Sequence, residues 1–281
     1  MKVIYTDKSQ IIASKVAENL GAPLGEVKKS RFPDNEIYIR ADGLDDRTVI
    51  VSSLPDAESI VELLLLIDAC EGSEVSLVIP YMAYARQDKR FNTGEPISIR
   101  AIAQALSRGV ARIITVNIHE PDVLKYFGVP AVNISIAPAV GEYLAKTAIE
   151  NPLILAPDDG AWPFAQGVAA DCGWDCNHLD KTRHSGVEVS IRQKDVGVAG
   201  RNVVIVDDII STGGTLTTAA EMLAAEGARS ISAACVHGVF SGGGYARLIA
   251  AGFSQIASSD TIERGCSVIS AAPAIAEALR R

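Results

Sequence analysis

Asp207 and Asp208 follow the apolar run Val203–Val206 and lead, through Ile209 and Ile210, into Ser211-Thr212-Gly213-Gly214-Thr215. This order, VVIVDDIISTGGT, predicts a buried strand, a short Ser/Thr/Gly loop and then a helix. Backbone N–H groups and hydroxyls in such a loop can wrap a phosphate at the positive end of the helix. Glycines let the backbone come close to phosphate oxygens. Two carboxylates beside that cradle suit sugar hydroxyls, or a metal ion bound to them. At the carboxyl end of a parallel strand they stand where open α/β sheets bind ligands.

Four further groups carry potential chemistry. In PYMAYARQDKRFNTGEPISIRAIAQAL, from Pro80 to Leu106, the residues Arg86, Gln87, Asp88, Lys89 and Arg90 are consecutive. Such a loop can contact a polyphosphate and a base together, Arg forking onto phosphate oxygens; the alternative is a solvated surface loop. In SRFPDNEIYIR, Phe32 precedes Pro33 and is biased to an extended backbone. Flanked by Asp34 and Glu36, it could stack on a purine, or it could be a core residue beside an edge strand. Lys181 and Arg183 in LDKTRHSG read as a mobile basic loop or a solvated turn. His119 and Asp158, both at predicted strand ends, can hold Mg²⁺ directly or through water. The five cysteines are scattered and read as reduced thiols; Cys172, Cys176 and His178 cluster without an obvious fourth ligand.

These residues need elements to position them. Short β-branched runs alternate with longer amphipathic segments along the chain, which implies βαβ units and largely parallel sheets. An offset of 155 residues aligns Val51-Ser52-Ser53 with Val206-Asp207-Asp208, and Glu71-Gly72 with Glu226-Gly227. The repeat suggests two α/β domains of one fold, divided near Ala137. It is informative where it breaks: the first copy has neither the acidic pair nor the glycines. A net charge of −8 disfavours broad attraction to nucleic acid or anionic membrane. No leader-like start and no apolar run long enough to span a bilayer stand out, so the expectation is a soluble, cytoplasmic protein. Neither G-x-x-x-x-G-K-[ST] nor G-x-G-x-x-G occurs.

VVIVDDIISTGGT resembles the ribose 5-phosphate motif of type I phosphoribosyltransferases and of ribose-phosphate diphosphokinases. The Pro80–Leu106 stretch resembles the ATP loop of the diphosphokinases alone, most closely the archaeal-type enzymes. The resemblance implies an α/β fold of two tandem type I phosphoribosyltransferase-type domains with mainly parallel sheets, related by internal duplication. Residues 1–137 would form a domain that lacks the sugar-phosphate loop and contributes the ATP loop. Residues 138–281 would hold the ribose 5-phosphate site. It further implies ATP binding by Phe32, Asp34, Glu36, Arg86, Gln87 and Asp88. The sugar phosphate would be held by Asp207, Asp208, Ser211, Thr212, Gly213, Gly214 and Thr215. His119 and Asp158 would serve Mg²⁺, and Lys181 and Arg183 catalysis. The partners are then ATP, ribose 5-phosphate and copies of the same chain, in a homo-oligomer whose ATP site lies at the subunit interface. The activity implied is diphosphate transfer from Mg-ATP to the anomeric hydroxyl of ribose 5-phosphate. A phosphoribosyltransferase would share the sugar-phosphate loop but leave the ATP loop unexplained. A catalytically silent, ligand-sensing homologue would be expected to lose the cations that Lys181 and Arg183 retain. Asp159 departs from the family, which often has Lys beside the metal-site Asp. The Gly-rich SGGGYARL after Val239 also diverges.

Overall fold

A computed structural model of the chain describes residues 1–183, 189–192 and 197–281; for 180–183 and 189–192 it describes the backbone. Packing divides the chain into two units. The first comprises Met1–Ile134, Asp260–Glu263 and Ser270–Arg281; the second comprises Ser135–Ser259 and Arg264–Ile269.

The first unit runs β1 (Lys2–Tyr5), α1 (Gln10–Leu20), β2 (Val27–Arg31), β3 (Ile37–Ala41), β4 (Arg47–Val51), α2 (Ala57–Asp68), β5 (Glu74–Ile79), α3 (Ser98–Leu106), β6 (Arg112–Val116) and β7 (Ala131–Ile134). The second runs α4 (Ala137–Ala145), β8 (Leu153–Ala156), α5 (Trp162–Ala170), β9 (Cys176–His178), β10 (Asp180–Arg183), β11 (Val189–Arg192), β12 (Asn202–Ile210), α6 (Gly214–Ala225), β13 (Ser230–Gly238), α7 (Gly244–Ala250), β14 (Gln255–Ser259) and β15 (Ser267–Ile269). Helix α8 (Ala272–Arg280) returns to the first unit.

Strand order in the first sheet is β1-β4-β5-β6-β7, all parallel. In the second it is β9-β8-β12-β13-β14-β15, also parallel throughout. Without the edge strand β9, the two orders match strand for strand. Each unit also places an antiparallel hairpin before its second core strand, β2–β3 in one and β10–β11 in the other. The sequence offset of 155 residues therefore joins equivalent strands, β4 and β12. Both are nearly continuous apolar runs because both faces of a parallel sheet are covered. Ile4, Ile50, Leu63 and Leu77 belong to one core, and Leu155, Val203, Ile205 and Leu223 to the other.

Several elements differ from the sequence reading. The basic segment read as a mobile loop has the backbone of a strand, β10, paired with β11. Strand β2, Val-Lys-Lys-Ser-Arg, was not anticipated because Val27 is its one apolar residue and it gives no apolar run. The C-terminal end is divided as well: helix α8 packs on α1, and Arg112 Nη2 donates to the Leu279 carbonyl at 2.6 Å. A single cut near Ala137 therefore does not describe the packing.

The first unit also encloses the segment Asp260–Glu263. Buried Asp260 accepts from Lys15 Nζ (2.8 Å), Ser270 Oγ (2.9 Å) and the Ala271 N–H (2.8 Å). Glu263 accepts from the N–H groups of Ile11 (2.8 Å) and Ile12 (3.1 Å) at the start of α1. The Thr261 carbonyl takes the hydroxyl of Ser53. Ser52 and Ser53, the counterparts of Asp207 and Asp208, are fully buried. In this unit the carboxyl edge of β4 is filled by protein.

The helix that follows β4 is closed in the same way. Asp56 caps α2, accepting from the Ser59 N–H (3.0 Å) and Ser59 Oγ (2.6 Å) and pairing with Lys8. Desolvation raises its pKa, but hydrogen bonds from Lys8 and Ser59 outweigh it and pull the carboxyl from 3.8 down to about 2. Its stabilisation is therefore full above the unfolded-state value of 3.8 and lost as pH falls toward about 2. Asp56→Ala should cost about 1 kcal/mol at neutral pH. The stability gap between the two proteins should close across that acid window in thermal melts. A gap that persisted unchanged at the acid end would remove Asp56 from the capping role.

Candidate functional site

Strand β12 extends through Ile210, four residues beyond the expected end at Val206, so Asp207 and Asp208 lie within the strand. Both are half-buried. Burial first, then the charge and carboxyl hydrogen bond of Asp208, then the charge of Asp158, push the Asp207 carboxyl well above the usual range. Asp158 reaches this neighbourhood because β8 pairs directly with β12, Leu155 opposite Ile205. Its side chain accepts from the Ala161 N–H at 3.3 Å. Three carboxylates thus gather at one edge of the second sheet, and the edge favours a cation or hydrogen-bond donors.

The loop after β12 supplies the opposite preference. Gly213, at φ 77°, is the residue before α6, and no side chain caps this helix. Among the described residues, none accepts from the N–H groups of Thr212, Gly213 or Gly214. The Gly213 carbonyl is taken by the Thr217 N–H (2.9 Å) and Thr217 Oγ1 (3.1 Å). In the first unit Asp56 brings its own carboxylate to the equivalent helix end; here no side chain does so. Acceptor-rich strand end and donor-rich loop together match a phosphorylated polyol.

The first unit gathers other candidates. Arg86, Gln87 and Asp88 follow β5, and His119 follows the adjacent strand β6, so all four lie at one carboxyl edge. Arg86 and His119 are exposed, Gln87 and Asp88 half-buried. Ser98 Oγ donates to Gln87 Oε1. The loop is tied farther on by Glu95, which accepts from the N–H groups of Phe91 (2.8 Å) and Asn92 (3.0 Å) and from the Asn92 amide (2.6 Å). The Asn92 side chain, then the Asn92 and Phe91 N–H groups, lower the Glu95 pKa.

Phe32, Asp34 and Glu36 lie together at the tip of the β2–β3 hairpin, where the Phe32 N–H bonds the Glu36 carbonyl at 2.9 Å. Asn35, at φ 75°, makes the turn. Phe32 is 50% exposed and meets Tyr38 edge-on, with ring centroids 5.8 Å apart. The core alternative for Phe32 is thereby overturned, because a hairpin tip has no second layer to bury a ring.

The side chains of Lys181 and Arg183 lie outside the described residues. Asp159 is exposed and pairs with His178 Nε2 at 3.2 Å, while His178 packs on Trp162 at 5.0 Å. Among the described residues, no group of three or more His, Cys, Asp and Glu side chains is arranged to hold a metal ion. None of the helices described is long and apolar enough to cross a membrane.

Sequence reasoning missed the segment that backs the phosphate-type loop. Ser211 Oγ lies 2.8 Å from Ser241 Oγ, and Arg247 donates to the Thr212 carbonyl. A Cβ at Gly244 would come within 2.3 Å of the Ser211 carbonyl oxygen, so only glycine fits there. The glycine run in SGGGYARL was the available signal.

Fold and site together define a two-unit protein of the phosphoribosyltransferase class. Residues 1–109 match the family model for the N-terminal domain of ribose phosphate pyrophosphokinase, and residues 126–258 match the phosphoribosyl transferase domain. A ribose-phosphate pyrophosphokinase from Methanosarcina acetivorans is 48% identical over 100% of both chains. One from Methanopyrus kandleri is 43% identical over 99% of this chain and 98% of its own. The crystal structure of phosphoribosylpyrophosphate synthetase from Mycobacterium smegmatis superposes with a TM-score of 0.84 at 26% identity, covering 99% of this chain and 97% of that one. The chain belongs to the ribose-phosphate pyrophosphokinase family, whose members are diphosphotransferases.

The acidic strand end yields a direct expectation. Asp207→Asn combined with Asp208→Asn should raise the KM for the sugar phosphate and lower turnover at least about tenfold, as loss of charged hydrogen bonds does. Wild-type steady-state kinetics in the double variant would place the pair outside the site.

Proposed function

We propose that the chain transfers diphosphate from Mg-ATP to the anomeric hydroxyl of ribose 5-phosphate, giving 5-phospho-α-ribose 1-diphosphate and AMP. The observation that carries this reading is the acidic end of β12 running straight into a helix start without a side-chain cap. Asp207 and Asp208 then receive the sugar hydroxyls, and Ser211 to Thr215 receive the 5-phosphate. In the transfer, the anomeric oxygen forms a bond to the β-phosphorus of ATP. The bond from that phosphorus to the oxygen bridging the α-phosphate breaks, AMP leaves with the electron pair, and the hydroxyl proton passes to solvent.

Arg86, Gln87 and Asp88 bind ATP from the loop after β5. Phe32, Asp34 and Glu36 bind the nucleotide of a neighbouring copy, since three exposed groups on a hairpin tip can reach outward from their own unit. His119 and Asp158 serve Mg²⁺. Magnesium is commonly held by one or two protein groups together with substrate phosphates rather than by a complete protein cage. Carboxylate oxygens such as those after β8 and in β12 are the donor type that a hard dication takes. When bound, the ion neutralises charge on the polyphosphate. Lys181 and Arg183 take up charge developing on the transferred diphosphate. The protein works in the cytoplasm.

The test is AMP release from ATP. Release should require ribose 5-phosphate; release indifferent to the sugar phosphate would sink the reading. In the same assay Lys181→Ala and Arg183→Ala should each depress kcat by two to three orders of magnitude, roughly 3–4 kcal/mol, with little change in ATP affinity. Their double variant should lose less than the product, because both cations serve one diphosphate. Near-wild-type kcat in both would remove them from the mechanism.

Sharing of the nucleotide site between copies has its own signature. A mixture of Phe32→Ala/Glu36→Ala protein with Lys181→Ala/Arg183→Ala protein should regain part of the activity that each lacks alone, once subunits exchange. A fully active monomer in sedimentation would rule out the shared site.

A further inference from the structure

The loop between Ser211 and Thr215 can bind an anion only if its peptide N–H groups face the anion. The conformation that allows this is easily lost. Gly213 has no Cβ and tolerates more than one orientation of the Thr212–Gly213 peptide. A flip of that peptide would turn the Thr212 carbonyl toward the phosphate and the Gly213 N–H away from it.

Arg247 sits where it opposes the flip. From α7 it donates through Nη1 to the Thr212 carbonyl and through Nη2 to the Gly242 carbonyl at 3.3 Å. The peptide is trans, since the described residues contain no cis bond. Its N–H therefore points opposite to the carbonyl that Arg247 holds. On the other side the Gly213 carbonyl is committed to Thr217. The two anchors leave the N–H groups of Gly213 and Gly214 directed away from Arg247 and from the helix body.

The reach of Arg247 depends on backbone contact. Gly244, the first residue of α7, is buried, and a Cβ there would meet the Ser211 carbonyl oxygen at 2.3 Å and the Thr212 carbonyl carbon at 3.1 Å. Gly213 is packed from the same side, a Cβ on it falling 3.2 Å from both the Gly244 carbonyl oxygen and Leu248. The Ser211 and Ser241 hydroxyls join the two turns at 2.8 Å. The turn before α7 is itself held in uncommon backbone, with Phe240 at φ 47°, Gly242 at 57° and Gly243 at 77°.

We infer that Arg247 is a positioning residue for the 5-phosphate of ribose 5-phosphate, locking the Thr212–Gly213 peptide with its N–H toward the anion. The inference rests on the reading of Ser211–Thr215 as the sugar-phosphate loop. A guanidinium suits the task because its planar fork spans two carbonyls; an ammonium serves them less well.

Steady-state kinetics of the full chain, with thermal melts alongside, test the inference. Arg247→Ala should raise the KM for ribose 5-phosphate about tenfold, the scale of one charged hydrogen bond. The KM for ATP should stay within about twofold and kcat within about threefold. Arg247→Lys should recover part of the loss, and it replaces the alanine variant if that one does not fold. Thr215→Val, which removes a hydroxyl from the loop itself, is the reference. If Thr215→Val raises the KM for ribose 5-phosphate and Arg247→Ala leaves it at the wild-type value, the positioning role is wrong and the loop reading stands. If neither variant changes that KM, both fall. Parallel losses in both KM values and kcat, with a lowered melting temperature, would reduce Arg247 to a structural residue and overturn the inference.

Discussion

Three carboxylates share one end of a buried parallel sheet, and that crowding is the condition on which the second unit is organised. Asp207 and Asp208 lie in β12, and Asp158 follows the end of the neighbouring strand β8. Burial of charge in such a place is costly, and together with repulsion from Asp208 and Asp158 it pushes the Asp207 carboxyl well above the usual range. The fold tolerates the cost because the same edge turns directly into a helix start with its backbone donors free of side-chain caps. Negative strand end and positive helix end are separated by three residues. In the proposed function, a ligand carrying hydroxyls, a phosphate and an accompanying cation answers both at once. Under that proposal, stability is given up locally for recognition, as is usual at functional sites.

The first unit solves the same geometric problem in the opposite way. Serines stand where the aspartates would be, and they are buried against the Asp260–Glu263 segment. An aspartate caps the helix that would otherwise accept an anion. Each difference is small, and together they fill this edge of the first sheet with packed protein. In the proposed function this unit's other loops, after β5 and β6 and at the β2–β3 turn, carry its binding groups instead.

Much of this was legible in the residues. VVIVDDIISTGGT combined an apolar strand, acids, hydroxyls and glycines in an order with few other uses, and the 155-residue offset disclosed the paired folds. What stayed hidden depended on neighbours distant in sequence. Nothing local in Val27–Arg31 marks a strand whose partner is Ile37–Ala41. The role of Gly244 depends on a carbonyl 33 positions earlier, at Ser211. Phe32 was ambiguous because an aromatic beside proline suits a core edge as well as an exposed tip, and only the hairpin decides between them. Asp260 and Glu263 gave no sign that they would serve the opposite end of the chain.

The chain passes between the units four times, and the last passage delivers α8 onto α1. This arrangement has a consequence for the newly made polypeptide. Residues 1–134 emerge with their sheet strands complete but without the helix and the acidic segment that finish their packing. At ordinary elongation rates the missing pieces follow on the order of ten seconds later, after the whole second unit has been made. Residues 1–134 are thus made before the second unit, while the segments that complete their packing are made after it. During that interval the α1 surface meant for α8 faces water, the nascent chain is open to chaperones and to wrong partners, and correct closure waits on residues still being added by the ribosome.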